Sequence, residues 1–296
     1  MRLIYFIIFI IILSCNDQKK ILPNSTGSNS EILFVASDYI WDEKIKDVVF
    51  DVFCDNLPGI SKPESNFKVL QINTKELSSL LKTHTNIVLL STDSITSFKN
   101  NLWATNQLVT QLSFTGDINQ FQNDCSSIYK VYYDKEINFI KNQQKLISNK
   151  NYSKEIFEIF GIDIIIPKKY TKVTDSKNSL IFSYSPETSD EIKHIMVYSL
   201  LDKNTDKEMI IEKTNKILSQ NLLGPKNSYV IIEERYPIEL YNNSYRGLWK
   251  LNKGYMGGSI LIKPYFTDNN LVLVCALVFD PGNAKRNHIK EFESIL

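Results

Sequence analysis

The sequence predicts an α+β protein, with an N-terminal half in βαβαβ order followed by a long helix and a C-terminal half of largely antiparallel sheet packed with helices. Between residues 31 and 150, short apolar runs alternate with stretches of helical period. Beyond Gly161, strand-length runs follow one another with one helical interruption. A last amphipathic stretch after Pro281-Gly282 closes the chain.

The elements follow in order. Residues 32 to 36 form an apolar run short enough for a strand, and Ile45, Val48, Val49, Val52 and Phe53 then repeat on one helical face. Residues 67 to 72 read as a second strand, Thr74 is placed to cap a short helix carrying Leu77, Leu80 and Leu81, and 87 to 90 is a third strand. Residues 103 to 114 add a strand candidate. From Asp117, a helical pattern through Ile118, Phe121, Cys125, Ile128, Tyr129 and Tyr132 runs towards residue 150 as one long or broken helix. In the second half, 151 to 160 is helical and ends at Gly161, a residue suited to the left-handed C-terminal cap. Runs at 162–166, 180–184 and 192–200 read as strands. Asp206 opens an amphipathic helix through Met209, Ile210, Ile217 and Leu218 that stops near Gly224-Pro225. Strands are expected at 228–233, 237–241, 246–251, 258–266 and 271–279, and a final helix from Asn283 or Ala284. The two halves therefore divide as 31–150 and 151–296.

The chain is 43% hydrophobic and 23% charged, a globular balance. Lys and Arg number 34 against 33 Asp and Glu, a formal charge of +1. Phosphate recognition needs concentrated positive charge, so no nucleic-acid partner is expected.

The first residues set the compartment. Arg2 precedes an unbroken apolar run from Leu3 to Leu13 and then Ser14-Cys15. This is a signal-peptide pattern over 1–14, and its eleven apolar residues are about half of the roughly 20 that a membrane span needs. The order Ile12-Leu13-Ser14-Cys15 resembles the bacterial lipobox. That resemblance implies a diacylglycerol on the Cys15 thiol, cleavage before it and acylation of the new amino terminus. Such a chain is anchored to a membrane by lipid, outside the cytoplasm. Residues 15–30 are then the lipidated cysteine and a polar, flexible tether.

Beyond Cys15 only Cys54, Cys125 and Cys275 remain, without CxxC spacing; they read as small buried hydrophobes, and a disulfide among them stays open. His84, His194 and His288 form no HExxH or close pair, so no metal is expected. GxSxG, Walker A and Rossmann signatures are lacking too, and no cofactor is expected.

The candidate ligand-binding residues are Arg246, Trp249, Tyr255, Met256, Gly257 and Gly258. Glycines permit positive φ and close backbone approach, Arg246 can grip an anion, and Trp249 can stack on a flat ligand. The competing reading is a turn between two strands, with Trp249 in the core and Arg246 paired to an acid on the sheet. Glu233, Glu234 and Asp280 are the carboxylates available for acid–base work, should the chain be an envelope hydrolase. Asp93-Ser94-Ile95 matches the short acceptor pattern of Bacteroidota O-glycosylation, which would put a glycan on Ser94.

Several words in the chain resemble those of an uncharacterised family of Bacteroidota lipoproteins. They are Leu22 to Gly27, Glu31 to Val35, Trp103-Ala104 with Gln107, Arg246 to Trp249, Met256 to Gly258, and Lys285-Arg286-Asn287. The resemblance covers nearly the whole mature chain and implies a Gram-negative envelope with outer-membrane anchoring and no catalytic residues. The second half also resembles the Mog1/PsbP type of α-β-α sandwich, a fold associated with binding and assembly. Two functions follow as expectations: a non-catalytic tethered module taking an envelope protein or small ligand, or a hydrolase using the carboxylates named above.

Overall fold

The computed structural model describes residues 21–93, 95–176, 179–200, 206–267 and 270–296. The expected lipid site at Cys15 and the expected glycan site at Ser94 lie outside the described residues. The fold is mixed α+β, as the periodicities predict, and divides into two compact units. One comprises the described residues up to Asp38 with Leu70–Thr115, the other Tyr39–Val69 with Gly116–Leu296.

The first unit is built on a five-stranded sheet of β1 (Glu31–Val35), β2 (Lys68–Ile72), β3 (Asn86–Ser91), β4 (Ser97–Asn100) and β5 (Leu108–Ser113), in the order β2-β1-β3-β5-β4. β3 runs parallel to β1 and to β5, and β4 closes the edge antiparallel to β5. Strand side chains alternate between faces, so Leu33 and Val35 share one face with Ile87 and Val109, packed by Leu70, Ile72, Leu77 and Leu81.

The cap expected of Thr74 belongs to Asn73. The Asn73 side chain accepts from the Lys75 amide while the Glu76 carboxylate accepts from the Asn73 amide, a reciprocal cap. It starts only a 3-10 turn, Thr74–Glu76, and a second turn follows at Leu81–Thr83. The strand expected from residue 103 begins at Leu108 because Gln107 organises the loop before it. The Gln107 side chain accepts from the Trp103 and Ala104 amides and donates to the Lys82 and His84 carbonyls at 2.6 and 2.7 Å. β4 had no signal: Phe98 is its one large apolar residue, and it is exposed at the sheet edge. From Pro23 onward, the stretch expected to be tether is hydrogen-bonded into this unit. The Pro23 carbonyl accepts from the Thr105 amide, and Thr26 exchanges backbone bonds with Thr83 and Thr85.

The second unit carries helices α1 (Lys46–Phe53), α2 (Ile118–Leu146), α3 (Lys150–Phe160), α4 (Lys207–Asn221) and α5 (Arg286–Ile295). Its strands are β6 (Thr171–Ser176), β7 (Ser179–Tyr184), β8 (Ile192–Leu200), β9 (Tyr229–Ile232), β10 (Glu239–Tyr241), β11 (Ser244–Asn252), β12 (Gly257–Phe266) and β13 (Leu271–Phe279). They run β10-β11-β12-β13-β8-β7-β6, with β9 also on β11, and the pairs are antiparallel. Two cores result. Val272, Val274, Ala276 and Val278 of β13 pack with Ile156 and Phe160 of α3 and Phe292 and Ile295 of α5. Leu271, Leu273, Cys275 and Leu277 pack on the other face with Ile210 and Leu218 of α4. A strand covered on both faces must be apolar at every position, which is why 271–279 is a continuous hydrophobic run.

Local signals placed the helices well. The Asp117 carboxylate accepts from the Asn119 and Gln120 amides at 2.9 and 3.1 Å and starts α2. Asn149 caps α3 in the same way, and Gly161 ends it at φ +71°. The strand expected at 162–166 is absent. Ile164, Ile165 and Ile166 are buried, but their backbone bonds go to chain segments outside the sheet, the Ile165 amide to the Ile295 carbonyl and the Ile166 carbonyl to the Asn149 amide. β6 went unforeseen because it is an edge strand of polar sequence with a bulge between Lys172 and Thr174. The last helix starts at Arg286 instead of residue 283 or 284, because residues 280 to 284 first turn back towards the Glu64 carboxylate, which receives the Lys285 and Arg286 amides. Cys54, Cys125 and Cys275 are free thiols.

His194, on β8 opposite Leu277, has no hydrogen-bond partner for Nδ1 among the described residues, and burial pushes its imidazole down to about 4. The unfolded chain therefore binds a proton between pH 6.5 and 4 that the folded chain refuses. Stability is expected to fall across that window as pH drops, by at most about 3 kcal/mol. Urea titrations at both pH values check this: His194→Leu should flatten the decline, and an unchanged slope would refute the assignment.

Candidate functional site

A hollow of about 670 Å³ opens in the second unit where four segments converge. The loop of residues 61 to 64 forms one side and the loop after β9 another. The end of β11 with its turn into β12 forms a third, and the chain leaving β13 forms the fourth.

Glu233 is the hinge of its charge pattern. Its side chain is 6% exposed, yet it holds two cations whose heads reach outward. Arg235 grips it with Nε at 3.1 Å and Nη2 at 2.7 Å, the Arg235 amide adds a third bond, and Lys250 Nζ lies 3.2 Å away. These donors hold the Glu233 carboxyl well below the usual range, near 2. Across the hollow, Asp280 accepts from Asn283 Nδ2 at 2.8 Å and pairs with His288 Nε2 at 2.7 Å. Burial would raise the Asp280 carboxyl, but the bonds from His288 and Asn283 outweigh it, and the net shift is downward. Glu64 spends both carboxylate oxygens on the first amides of α5.

The residues expected to bind a ligand separate here. Tyr255 is fully exposed at the rim, Met256 is half-buried, and Gly257 and Gly258 form part of the wall. Trp249 lines the hollow with little more than an edge: it is 6% exposed, donates from Nε1 to the Val278 carbonyl at 3.1 Å and meets Phe279 edge-on. Positive φ falls on Lys253 and not on the neighbouring glycines. Arg246 is elsewhere. It shares a face of β11 with Leu248 and Lys250, which do line the hollow, but it lies further back along the strand, beyond the hollow's reach. Of the three carboxylates, Glu233 and Asp280 reach the hollow, whereas Glu234 is exposed outside its lining. Arg235, Tyr236, Lys250 and Lys285 complete the wall and were not singled out from sequence. Arg235 lies in the Glu233-Glu234-Arg235 word, and that word was the one usable signal.

Arg246 instead joins a buried network. It is 0% exposed, pairs with Glu293, donates from Nη2 to the Tyr133 hydroxyl at 3.2 Å and lies over the Tyr241 ring at 4.2 Å. Lys290 Nζ sits 3.2 Å from the Tyr133 ring centre, 3.9 Å from Glu293 and 4.0 Å from Glu136, and Arg286 binds Glu136 through two 2.8 Å bonds. Burial pushes the Lys290 ammonium down to about 7, against the pull of Glu293 and Glu136. The network ties α2 and α5 to β11, a structural role for the arginine read as a possible anion ligand.

Among the described residues, no group of three or more His, Cys, Asp and Glu is placed to hold a metal ion, and no helix is long and apolar enough to cross a membrane.

No curated protein matches the chain in sequence. Part of it is similar in structure to LpqN of Mycobacterium tuberculosis, a protein described as involved in cell envelope biogenesis. The identity is 8%, over 45% of this chain and 78% of LpqN, with a TM-score of 0.27. A crystal structure from Bacteroides thetaiotaomicron is similar at 12% identity, over 45% of this chain and 41% of that one, with a TM-score of 0.21. Residues 25–145 match the family DUF8532, a domain of unknown function. Residues 149–296, half of the chain, match DUF4837, also a domain of unknown function, and the chain belongs to the DUF4837 family.

Proposed function

We propose that the chain is an envelope lipoprotein of the Bacteroidota type, held on the outer membrane through acylated Cys15, and that its second unit is a non-catalytic binding or assembly module acting through the hollow. The lipid anchor rests on the ordered signal Arg2, Leu3 to Leu13, Ser14 and Cys15. With the fold bonded in from Pro23, the spacer is residues 15 to 22.

The binding role rests on one observation: every carboxylate lining the hollow is already bonded, Glu64 to the first amides of α5, and Glu233 and Asp280 to donors that hold both in the ionised form. A general acid needs a carboxyl raised towards the working pH, and both shifts run the other way. The hydrolase alternative would have to draw its acid from Glu233, Glu234 or Asp280. Glu233 is committed to its ion pairs with Arg235 and Lys250, Asp280 to hydrogen bonds from His288 and Asn283, and Glu234 lies outside the hollow.

Labelled palmitate is expected to enter the wild type and not Cys15→Ala, and the intact mass of the native protein reads the acyl groups together with any glycan on Ser94. Equal incorporation in both chains would end the anchor reading. Hydrolysis of an envelope substrate that is lost in Asp280→Asn without loss of folding would favour the enzyme.

A further inference from the structure

We infer that the hollow is a binding site for an acidic saccharide, with its carboxylates met by the Arg235 and Lys250 side of the wall and its ring faces laid on Tyr255 and Tyr236. The inference rests on the binding-module reading above and adds the chemistry of what is bound.

The first reason is how charge is distributed between depth and surface. The acids of the hollow face inward and are already bonded: Glu233 to Arg235 and Lys250, Asp280 to His288 and Asn283, Glu64 to the α5 amides. The cations face outward. The Arg235 side chain is 80% exposed and that of Lys250 37% exposed, although both are fastened to one buried carboxylate. The lining carries four cations, Arg235, Lys250, Lys62 and Lys285, against three acids, and of these cations Lys285 already donates to the Asp280 and Asn283 carbonyls. Held at its Nε and Nη2 edge, the Arg235 guanidinium is pre-oriented, so an anion gains from it at little ordering cost. The α5 N-terminus does not supply the attraction, because Glu64 already fills it.

The second reason is aromatic. Tyr255 at the tip of the β11–β12 turn is wholly exposed, and Tyr236 is more than half exposed. A tyrosine offers a flat apolar face with a wet hydroxyl, which suits the C–H faces of a sugar ring, and it loses little side-chain freedom on binding.

The third reason is shape. The volume falls within the range of roughly 300–1,000 Å³ usual for discrete ligands, and a concavity does not fit a flat bilayer surface. Its apolar floor is already packed: Leu248, Trp249 and Leu251 are each buried, so an acyl chain finds no slot between them. Anionic groups on a stackable, polar ring system remain as the chemistry that the walls meet.

The test is calorimetry on the full-length chain with a galacturonic acid oligosaccharide and with a neutral galactose oligosaccharide of equal length. The acidic sugar is expected to bind in a salt-sensitive way and the neutral one about tenfold more weakly or not at all. Tyr255→Ala and Arg235→Gln should each weaken binding about tenfold at unchanged Tm. If Arg235→Gln lowers Tm through Glu233, Lys62→Gln reads the same attraction from a residue outside that ion pair. Equal binding of the two sugars, no binding of the acidic one, or binding indifferent to these variants would overturn the inference. So would phosphatidylglycerol vesicles whose capture drops in Tyr255→Ala while neither sugar binds, which would assign the face to a membrane; wild type and variant share whatever anchor the N-terminus carries. Palmitate labelling reads the anchor independently. A labelled Cys15 with no sugar bound ends this inference alone, and bound sugar on an unlabelled chain ends the anchor alone.

Discussion

Arg246→Met is expected to destabilise the second unit by about 3 kcal/mol, the cost of leaving one partner of a buried ion pair behind. The guanidinium is fully buried between Glu293, the Tyr133 hydroxyl and the Tyr241 ring. Its removal leaves the Glu293 carboxylate, 8% exposed, with Lys290 at 3.9 Å as its nearest cation. Lys290 tempers the loss but cannot cancel it, because its own ammonium is already depressed to about 7 by burial. Arg246 nitrogens Nε and Nη1 make no hydrogen bond within the described residues, so the intact pair carries an uncompensated desolvation cost. The double replacement Arg246→Met with Glu293→Leu should therefore recover most of the lost stability. Urea midpoints at constant slope measure both changes. A single mutant within about 0.5 kcal/mol of wild type would show that the network does not secure α5 to β11.

A second readout has a definite sign. Burial holds the Lys290 ammonium near 7 in the folded chain against an ordinary lysine value of 10.5, so the unfolded chain binds the extra proton between those values and stability rises with pH across the window. Arg246 is one of the groups pushing that ammonium down. In Arg246→Met the Lys290 pKa should rise and the pH dependence above neutrality should become shallower.

Gly258→Ala is expected to cost about 2–3 kcal/mol, the scale of overpacking against groups that cannot move aside. A Cβ built on Gly258 would lie 1.9 Å from the Val278 carbonyl oxygen and 3.2 Å from Trp249 Nε1. The first is backbone of the neighbouring strand, and Trp249 donates to that same carbonyl, so relief requires β12 and β13 to part and the indole bond to break. Gly257→Ala meets only the Trp249 carbonyl, at 2.9 Å, and should cost less. Thermal unfolding ranks the variants, and Trp249 fluorescence should shift in Gly258→Ala. Equal Tm values for Gly258→Ala and wild type would remove the packing account of this glycine.

Much of the hollow was legible before the fold was known. Tyr255, Met256, Gly257, Gly258, Glu233 and Asp280 all line it. Arg246 was grouped with them by nearness in sequence, but it lies further back on β11 than the residues that line the hollow, and its partner Glu293 comes from α5. Arg235 and Lys250 were not picked out because nothing local distinguishes a cation held by a buried acid from a solvated one. The residues at 61 to 64 are far from the rest in the chain, and only folding brings them to the wall.

What the sequence determined alone is what short-range physics can encode. The continuous apolar run of β13, the period of 3.6 along α2, and the helix ends at Asp117 and Gly161 each depend on residues within a turn or two, and each was readable without a partner. What only the tertiary structure decided depends on partners distant in sequence. The apolar run at 162–166 is buried without joining the sheet, polar β4 and β6 are strands because a neighbour offers them an edge, and Arg246 is neutralised by a glutamate 47 positions away. Burial creates hydrophobic and ionic demands that a local pattern can announce, but the chain's return path selects which group meets them.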